Sequence, residues 1–158
     1  MKQLITYSVL LLLMFSAGSC RKQQDDHYAV TGDYMIVGRA GGFTANVNTT
    51  YYLITETQLR KDTGVNCVEP HENIDQFNFN VVLPDSQFHA VKGMLLHVPA
   101  VLLKMNGATI GDHFIDAGYT DVRTSVNGDE YHWIFEADLS KCSDEIQAFV
   151  TGAHSVFR

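Results

Sequence analysis

The dipeptide Asn127-Gly128 constrains the fold more than any other feature of this sequence. It separates two segments rich in β-branched and aromatic residues, 119–126 and 130–137. Asn-Gly between such segments favours a type I′ turn, because both central residues of that turn need positive φ. Trp133 and its apolar neighbours occupy both faces of the second segment, which is typical of a central strand. We therefore expect a β-hairpin with its second arm inside a sheet.

Four further segments have the composition of strands. Residues 34–38 and 50–55 are rich in β-branched and aromatic residues, and 58–62 follows as the exposed second arm of a hairpin. Alternating apolar and polar residues predict a half-buried strand over 76–83. Most of these predicted strands follow one another without an intervening helix, which indicates an antiparallel sheet.

Two segments have the periodicity of helices. After Leu83-Pro84, apolar residues recur at every third or fourth position, which predicts a helix that ends or bends at Pro99. A second helix is predicted to begin at Ser143, with Glu145 in its first turn. The predicted fold class is α+β, an antiparallel sheet of about five or six strands with two helices.

The N-terminal segment has the features of a secretory signal. Lys2 precedes an apolar stretch from Leu4 to Phe15, which as a helix covers about 18 Å. A bilayer core needs about 20 apolar residues, so this stretch is too short for a transmembrane span. We expect residues 1–19 to be a signal peptide, residues 20–28 a flexible tether, and residues 29–158 a single globular domain.

The end of that signal, Ala17-Gly18-Ser19-Cys20, resembles the lipobox of bacterial lipoproteins, although Ala17 stands where leucine is usual. The resemblance implies a diacylglyceryl group and a further acyl chain, such as palmitate, on Cys20 of the cleaved chain. Two or more acyl chains anchor a protein stably, so the membrane would be a partner through this lipid. The alternatives are an ordinary signal peptide with a chance cysteine and an uncleaved anchor.

The chain as a whole is similar to small lipoproteins of Bacteroidota, which have no assigned activity. Asp25-Asp26 loosely resembles their surface-export signal. We therefore expect a lipid-anchored protein of the cell envelope, on the outer membrane. Both the periplasmic side and the cell surface remain open.

Charge and motifs exclude several classes of function. Residues 1–19 hold one cation, Lys2, and no acid, so their removal lowers the net charge from −7 to −8. Nucleic-acid binding relies on Lys and Arg against phosphate, so no nucleic-acid partner is expected. The sequence contains no GxxxxGKS, GxGxxG, HExxH, CxxC or GxSxG motif. We expect a non-enzymatic module without a cofactor that binds an unknown protein or small ligand.

Two cysteines remain if Cys20 carries lipid. Cys67 and Cys142 would then lie in a compartment that permits disulfides. A bond between them would close a loop of about 75 residues, which the chain-entropy model values at roughly 4 kcal/mol. The alternative is two separate thiols.

Acidic and histidine residues suggest one candidate metal site. Asp112, His113 and Asp116 lie close together in the sequence, and a distant His71 or His132 would complete a zinc site. This cluster is the basis of an alternative function, a metal-dependent hydrolase. The other interpretation is a solvated loop. His71-Glu72 with Asp75 is a similar case.

Tyr34, Tyr51 and Tyr52 are compatible with two roles, an exposed aromatic patch for a ligand or a cover over the core. A last resemblance concerns Gly41-Gly42-Phe43, followed by a polar strand, a Leu-Pro-led helix, a hairpin and a terminal helix. This order is similar to that of emfourin-type inhibitors of metalloproteases. It implies a protease-inhibitor-like domain as a further alternative, with no inhibitory residue to assign.

Overall fold

The computed structural model describes residues 30–40, 50–63, 77–113 and 117–158. The strands are β1 (Tyr34–Ala40), β2 (Thr50–Thr55), β3 (Leu59–Lys61), β4 (Val81–Val82), β5 (Thr109–Ile110), β6 (Tyr119–Val126) and β7 (Asp129–Phe135). The α-helices are α1 (Asp85–Val91), α2 (Ala100–Leu103) and α3 (Asp144–His154), with 3₁₀ helices at Lys92–Leu96 and Ser155–Phe157.

The strands form one seven-stranded sheet in the order β4-β3-β2-β1-β6-β7-β5. All neighbours are antiparallel except β5 and β7, which run parallel. The α+β class is therefore confirmed, while the sheet is mixed and holds more strands than predicted. The strand that the sequence did not predict, β5, has two residues at one edge of the sheet, which is too short for a repeating pattern in the sequence.

The hairpin at the Asn-Gly dipeptide is confirmed. Asn127 and Gly128 have φ values of 54° and 86°, the positive values that a type I′ turn requires. The turn joins β6 to β7, and Val122 lies opposite Trp133 in the register. β7 pairs with β6 on one side and with the short edge strand β5 on the other, so its predicted position inside the sheet is confirmed.

All three helices contribute to a core on one face of the sheet, which we call the helical face. Trp133 is fully buried there, and its indole Nε1 donates a hydrogen bond of 2.9 Å to the Leu102 carbonyl in α2. Its ring meets Phe149 of α3 edge-on, with centroids 6.4 Å apart. The buried residues of this core are Met35, Val37, Ile54, Leu59, Phe88, Val91, Leu102, Ile110, Val122, Trp133, Phe135, Ile146, Phe149, Val150, Ala153 and Val156.

The opposite face of the sheet, which we call the second face, carries a smaller and more aromatic cluster. It consists of Tyr34, Ile36, Tyr51, Leu53, Phe77 and Phe79. Tyr34 and Tyr51 are buried and Tyr52 is half-buried, so these tyrosines belong to the two cores and not to an exposed patch.

The predicted strand over 76–83 is wrong for most of its length. Residues 77–80 have no regular secondary structure, and only Val81–Val82 pairs with β3. Phe77 and Phe79 are nevertheless buried, with their rings stacked at 5.2 Å. The alternation in the sequence reflects a segment that buries its two phenylalanine rings in the cluster of the second face without forming a strand.

The helical predictions hold with changed boundaries. α1 gives way to a 3₁₀ helix at Lys92–Leu96, and Pro99 precedes the short α2. α3 buries Ile146, Phe149 and Val150, as predicted from its apolar periodicity. None of the helices in the described ranges has the length and apolar character needed to cross a bilayer. The predicted signal peptide (1–19) and tether (20–28) lie outside the described residues.

Candidate functional site

A buried carboxylate lies in the middle of the second face. Asp121 is on β6, and only 1% of the residue is exposed. An ionised carboxylate inside a protein is costly unless charged groups and hydrogen bonds compensate it. The contacts of Asp121 therefore define the most unusual polar site among the described residues.

Three side chains contact the Asp121 carboxylate, and with it they form what we call the Asp121 network. Tyr51 donates its hydroxyl hydrogen to Oδ2 at 3.1 Å. Arg123 Nη2 donates to the same oxygen at 3.4 Å. His132 Nε2 lies 2.9 Å from Oδ1.

Strand register places these side chains together. Gly38 of β1 lies opposite Asp121, and Arg123 lies opposite His132 of β7. Gly38 is also opposite Tyr51 on β2, and a Cβ on this glycine would lie 2.0 Å from Tyr51 Cε1. The missing side chain lets the tyrosine ring lie over the β1 backbone, which brings its hydroxyl to the carboxylate on the far side.

The electrostatics of the network keep Asp121 ionised. Burial by itself raises the pKa of the carboxyl, but the hydrogen bond from His132 and the positive charge of Arg123 outweigh it, so the pKa lies below its ordinary value. Burial and the neighbouring Asp121 charge raise the pKa of Tyr51, which stays a neutral donor.

Two aromatic rings, those of Phe77 and Tyr51, pack beside the network. The Arg123 guanidinium lies over the Phe77 ring, 5.7 Å from its centroid. Phe77 meets Tyr51 edge-on at 4.8 Å. These contacts hold the arginine in a partly desolvated place, where a cation over a ring is more favourable than at an exposed site.

The network changes from buried to exposed across the strands. The exposed fraction of the side chain is 1% for Asp121, 15% for Arg123 and 41% for His132. Because an ionised carboxylate only accepts hydrogen bonds, the proton on a neutral His132 ring sits on Nε2. Nδ1 is then the acceptor nitrogen, and the exposed imidazole is the part of the network that a ligand can contact.

A second histidine–carboxylate pair lies near the end of β7. His113 Nδ1 is 3.0 Å from Glu136 Oε2, and the His113 side chain is 67% exposed. Asp112 instead forms an ion pair with Lys141 and an isolated bridge with Asp138. The two neighbours predicted as metal ligands are thus engaged with different partners.

Of the other residues named for the two predicted metal sites, the structure describes only His132. Asp116, His71, Glu72 and Asp75 lie outside the described residues. In the part of the chain that the structure describes, no three His, Cys, Asp or Glu side chains are grouped closely enough to hold a metal ion.

The cysteine predictions likewise fall mostly beyond the described ranges. Cys20 and Cys67 lie outside them, and Cys142, the one cysteine that the structure describes, is half-buried. Its amide donates to the Leu139 carbonyl, and its own carbonyl accepts from Gln147 Nε2. The Cys67–Cys142 disulfide and the lipid on Cys20 stay predictions.

Sequence reasoning missed the Asp121 network, although it considered His132 as a distant metal ligand. Asp121 and Arg123 flank the apolar Val122 on β6, and such local alternation normally assigns the polar residues to solvent. A glycine inside the apolar run Met35-Ile36-Val37-Gly38 was the available signal, because an interior strand glycine marks a close approach by another group.

Fold and site together define the class: a small α+β domain with helices on one face of a mixed sheet and a buried ionic network on the other. No protein-family profile, curated protein or solved structure matches the chain.

Proposed function

We propose that this protein is a lipid-anchored, non-enzymatic binding module of the bacterial cell envelope, held to the outer membrane through Cys20. Its ligand contacts the second face of the sheet at His132. The observation that carries the site is the Asp121 network, an ionised carboxylate at 1% exposure joined to a half-exposed imidazole.

Stability alone is a poor explanation for this network. Replacing a buried ionic group by apolar residues of similar volume is often neutral or stabilising. Perturbed ionisable groups cluster where proteins bind or react. The gradient of exposure from Asp121 to His132 supports a role in contact with a ligand.

The chemistry of His132 narrows the ligand. With Nε2 engaged by Asp121, Nδ1 of the neutral ring accepts a hydrogen bond from a hydroxyl or amide group. The Phe77 and Tyr51 rings beside Arg123 are buried, with 3% and 1% of each residue exposed, so the imidazole is the accessible contact of the network. A ligand that presents a hydroxyl or amide hydrogen-bond donor to the half-exposed imidazole fits this arrangement.

The site is tested on the full lipidated chain, purified in detergent from its own membrane and analysed by native mass spectrometry. We expect a small-molecule adduct on the wild type that His132→Gln loses. The matched control is His97→Gln, since His97 is exposed on another part of the domain. An adduct retained equally by both variants, or none on the wild type, contradicts binding at this site.

The anchor is tested separately. Cys20→Ser cannot form the thioether, so the protein should leave the detergent phase as soluble product or persist as uncleaved precursor. Mass spectrometry of the wild type should show a diacylglyceryl group, with a third acyl chain, on an N-terminal Cys20. An unmodified N-terminus at another residue contradicts the anchor, whatever the ligand experiment shows.

One specific observation favours a second function. A carboxylate that orients a histidine while the other ring nitrogen accepts a proton is also the arrangement of a general base. Hydrolysis of model esters or glycosides by the wild type that disappears in both His132→Gln and Asp121→Asn would replace the non-enzymatic proposal with an enzymatic one.

The two alternatives predicted from the sequence have their own tests. A metal-dependent hydrolase at Asp112, His113 and Asp116 requires metal in protein purified without chelator, and less than about a tenth of an equivalent contradicts it. A protease-inhibitor-like domain requires inhibition of secreted metalloproteases, and no inhibition at micromolar excess contradicts it.

A further inference from the structure

A groove separate from the Asp121 network opens between α1 with its following 3₁₀ helix and the ends of two strands. Its volume is about 550 Å³, within the roughly 300–1,000 Å³ typical of small-ligand sites. We call it the Leu96 groove. Its lining residues are Asp33, Glu56, His89, Ala90, Lys92, Gly93, Leu95 and Leu96.

The apolar part of the groove is unusually exposed. Leu96 has 81% of its surface accessible, the highest value among the large apolar residues of the described ranges. Leu95 beside it is half-buried. An exposed leucine is unremarkable alone, but here it lines a concave site that also holds charged groups.

Opposite charges stand on opposite walls. Asp33 and Glu56 come from the strand side, just before β1 and just after β2, whereas Lys92 comes from the helical side. No ion pair within 4 Å joins Lys92 to either acid, although all three residues are described. Asp33 Oδ1 accepts a hydrogen bond of 2.8 Å from the Asn127 amide. The groove therefore offers the Lys92 ammonium, the Glu56 carboxylate and the second Asp33 oxygen to a ligand that carries both charges.

We propose that the Leu96 groove binds a short apolar peptide as a zwitterion. The peptide ammonium contacts Asp33 and Glu56, its carboxylate contacts Lys92, and an apolar side chain lies against Leu95 and Leu96. This site is independent of the second face and of the ligand proposed there.

The chain offers a variant that fills the groove without straining the fold. A Cβ on Gly93 would meet nothing within 4 Å, and this glycine lacks a positive φ. Gly93→Leu therefore places a side chain in the groove, and unchanged thermal unfolding verifies that the domain is intact.

The probe is leucyl-leucine, titrated calorimetrically into the full-length protein in detergent. We expect saturable binding in the millimolar range or tighter, abolished by Gly93→Leu. Lys92→Ala and Glu56→Gln should each weaken binding roughly tenfold, the loss of one charge-assisted contact. Lys104→Ala is the matched control, since Lys104 is equally exposed and lies outside the groove.

Blocked peptides separate the two charges. N-acetyl-leucyl-leucine lacks the ammonium and leucyl-leucine amide lacks the carboxylate, so each should bind roughly tenfold more weakly than the free peptide. His132→Gln should leave binding unchanged, which separates this site from the second face. No saturation at about 10 mM, equal binding of the blocked peptides, or normal binding by Gly93→Leu overturns the proposal.

Discussion

The two faces of the sheet are stabilised in different ways. The helical face buries a continuous apolar core that includes Trp133 and side chains from all three helices. The second face buries six residues in a smaller aromatic cluster, and beside them an ionised aspartate. Strands β1, β2 and β6 contribute to both, so neighbouring residues of one strand enter entirely different environments.

The two faces therefore suit two different roles, stability of the fold and recognition of a ligand. Apolar burial is non-directional and roughly proportional to area, so the helical face stabilises the fold and tolerates repacking. The second face depends on hydrogen bonds with defined partners, which fix geometry more than they add stability. The face with less apolar area is also the one whose geometry suits recognition.

The largest expected effect lies on the helical face. Trp133→Ala removes a fully buried indole and its hydrogen bond to the Leu102 carbonyl. We expect the free energy of unfolding to fall by about 3–5 kcal/mol, a large part of the total for a domain of this size. Urea unfolding followed by circular dichroism measures it. Val101→Ala, at an exposed apolar position, should change stability little; a loss below about 1 kcal/mol for Trp133→Ala would contradict the assignment of the main core.

The next effect tests the packing of the second face. In Gly38→Ala the new Cβ would overlap the Tyr51 ring, which must move and release Asp121. We expect a loss of about 2–3 kcal/mol. Gly93→Ala is the control glycine, because its Cβ meets nothing. The double variant Gly38→Ala/Tyr51→Ala should lose less than the sum of the single losses, and strict additivity would contradict the close approach.

A smaller effect on the free energy of unfolding is expected at acidic pH. The pKa of Asp121 is lowered in the folded state, so its contribution is present at neutral pH and is lost as the pH falls below 3.8, the ordinary value, towards the folded pKa. Asp121→Asn should lower stability at pH 7, and its stability curve should approach that of the wild type below pH 3.8. Asp129→Asn, at an exposed position, is the control. A constant difference between wild type and Asp121→Asn down to acid unfolding would contradict the ionised state.

The smallest effect belongs to the helical face and lies at a higher pH. Burial, then the charges of Arg39 and Arg158, lower the pKa of His154, whose Nε2 lies 2.7 Å from Thr120 Oγ1. As the pH falls below 6.5 the unfolded chain binds this proton first, so stability decreases. His154→Gln should flatten the profile there and leave the step below pH 3.8 intact. If His154→Gln flattened the lower step instead, the assignment of the two steps to the two faces would fail.

Elements with a strong local signal were predictable from the sequence. The Asn127-Gly128 turn depends on backbone conformations that few other dipeptides adopt, so its sequence reports it directly. α3 has enough turns for its apolar stripe to be recognised. By contrast, β5 consists of two residues whose pairing with β7 depends on the path of the intervening chain.

The buried network was not predictable, for a physical reason. Tyr51 reaches Asp121 from a strand 70 positions away in the sequence, whereas His132 contacts it from the other arm of the predicted hairpin. The sequence of β6 places Asp121 and Arg123 on one side of the strand, but it does not identify the residues that cover that side. The same limit applies to Phe77 and Phe79, whose alternation suits a paired strand and an unpaired extended segment equally.

The pairing of β1 with β6 in the middle of the sheet has a consequence for folding, because the two strands are far apart in the sequence. β1 pairs with β6, and the register joins Tyr34 to Ser125, which are 91 positions apart (34 to 125). Until residue 126 is available, the β1 edge that β6 will occupy has no partner, and closing so long a loop slows folding. A chain that emerges from its N-terminus would hold β1–β3 as an incomplete sheet until the Asn127-Gly128 hairpin arrives, and during that interval the unpaired β1 edge is open to pairing with other chains.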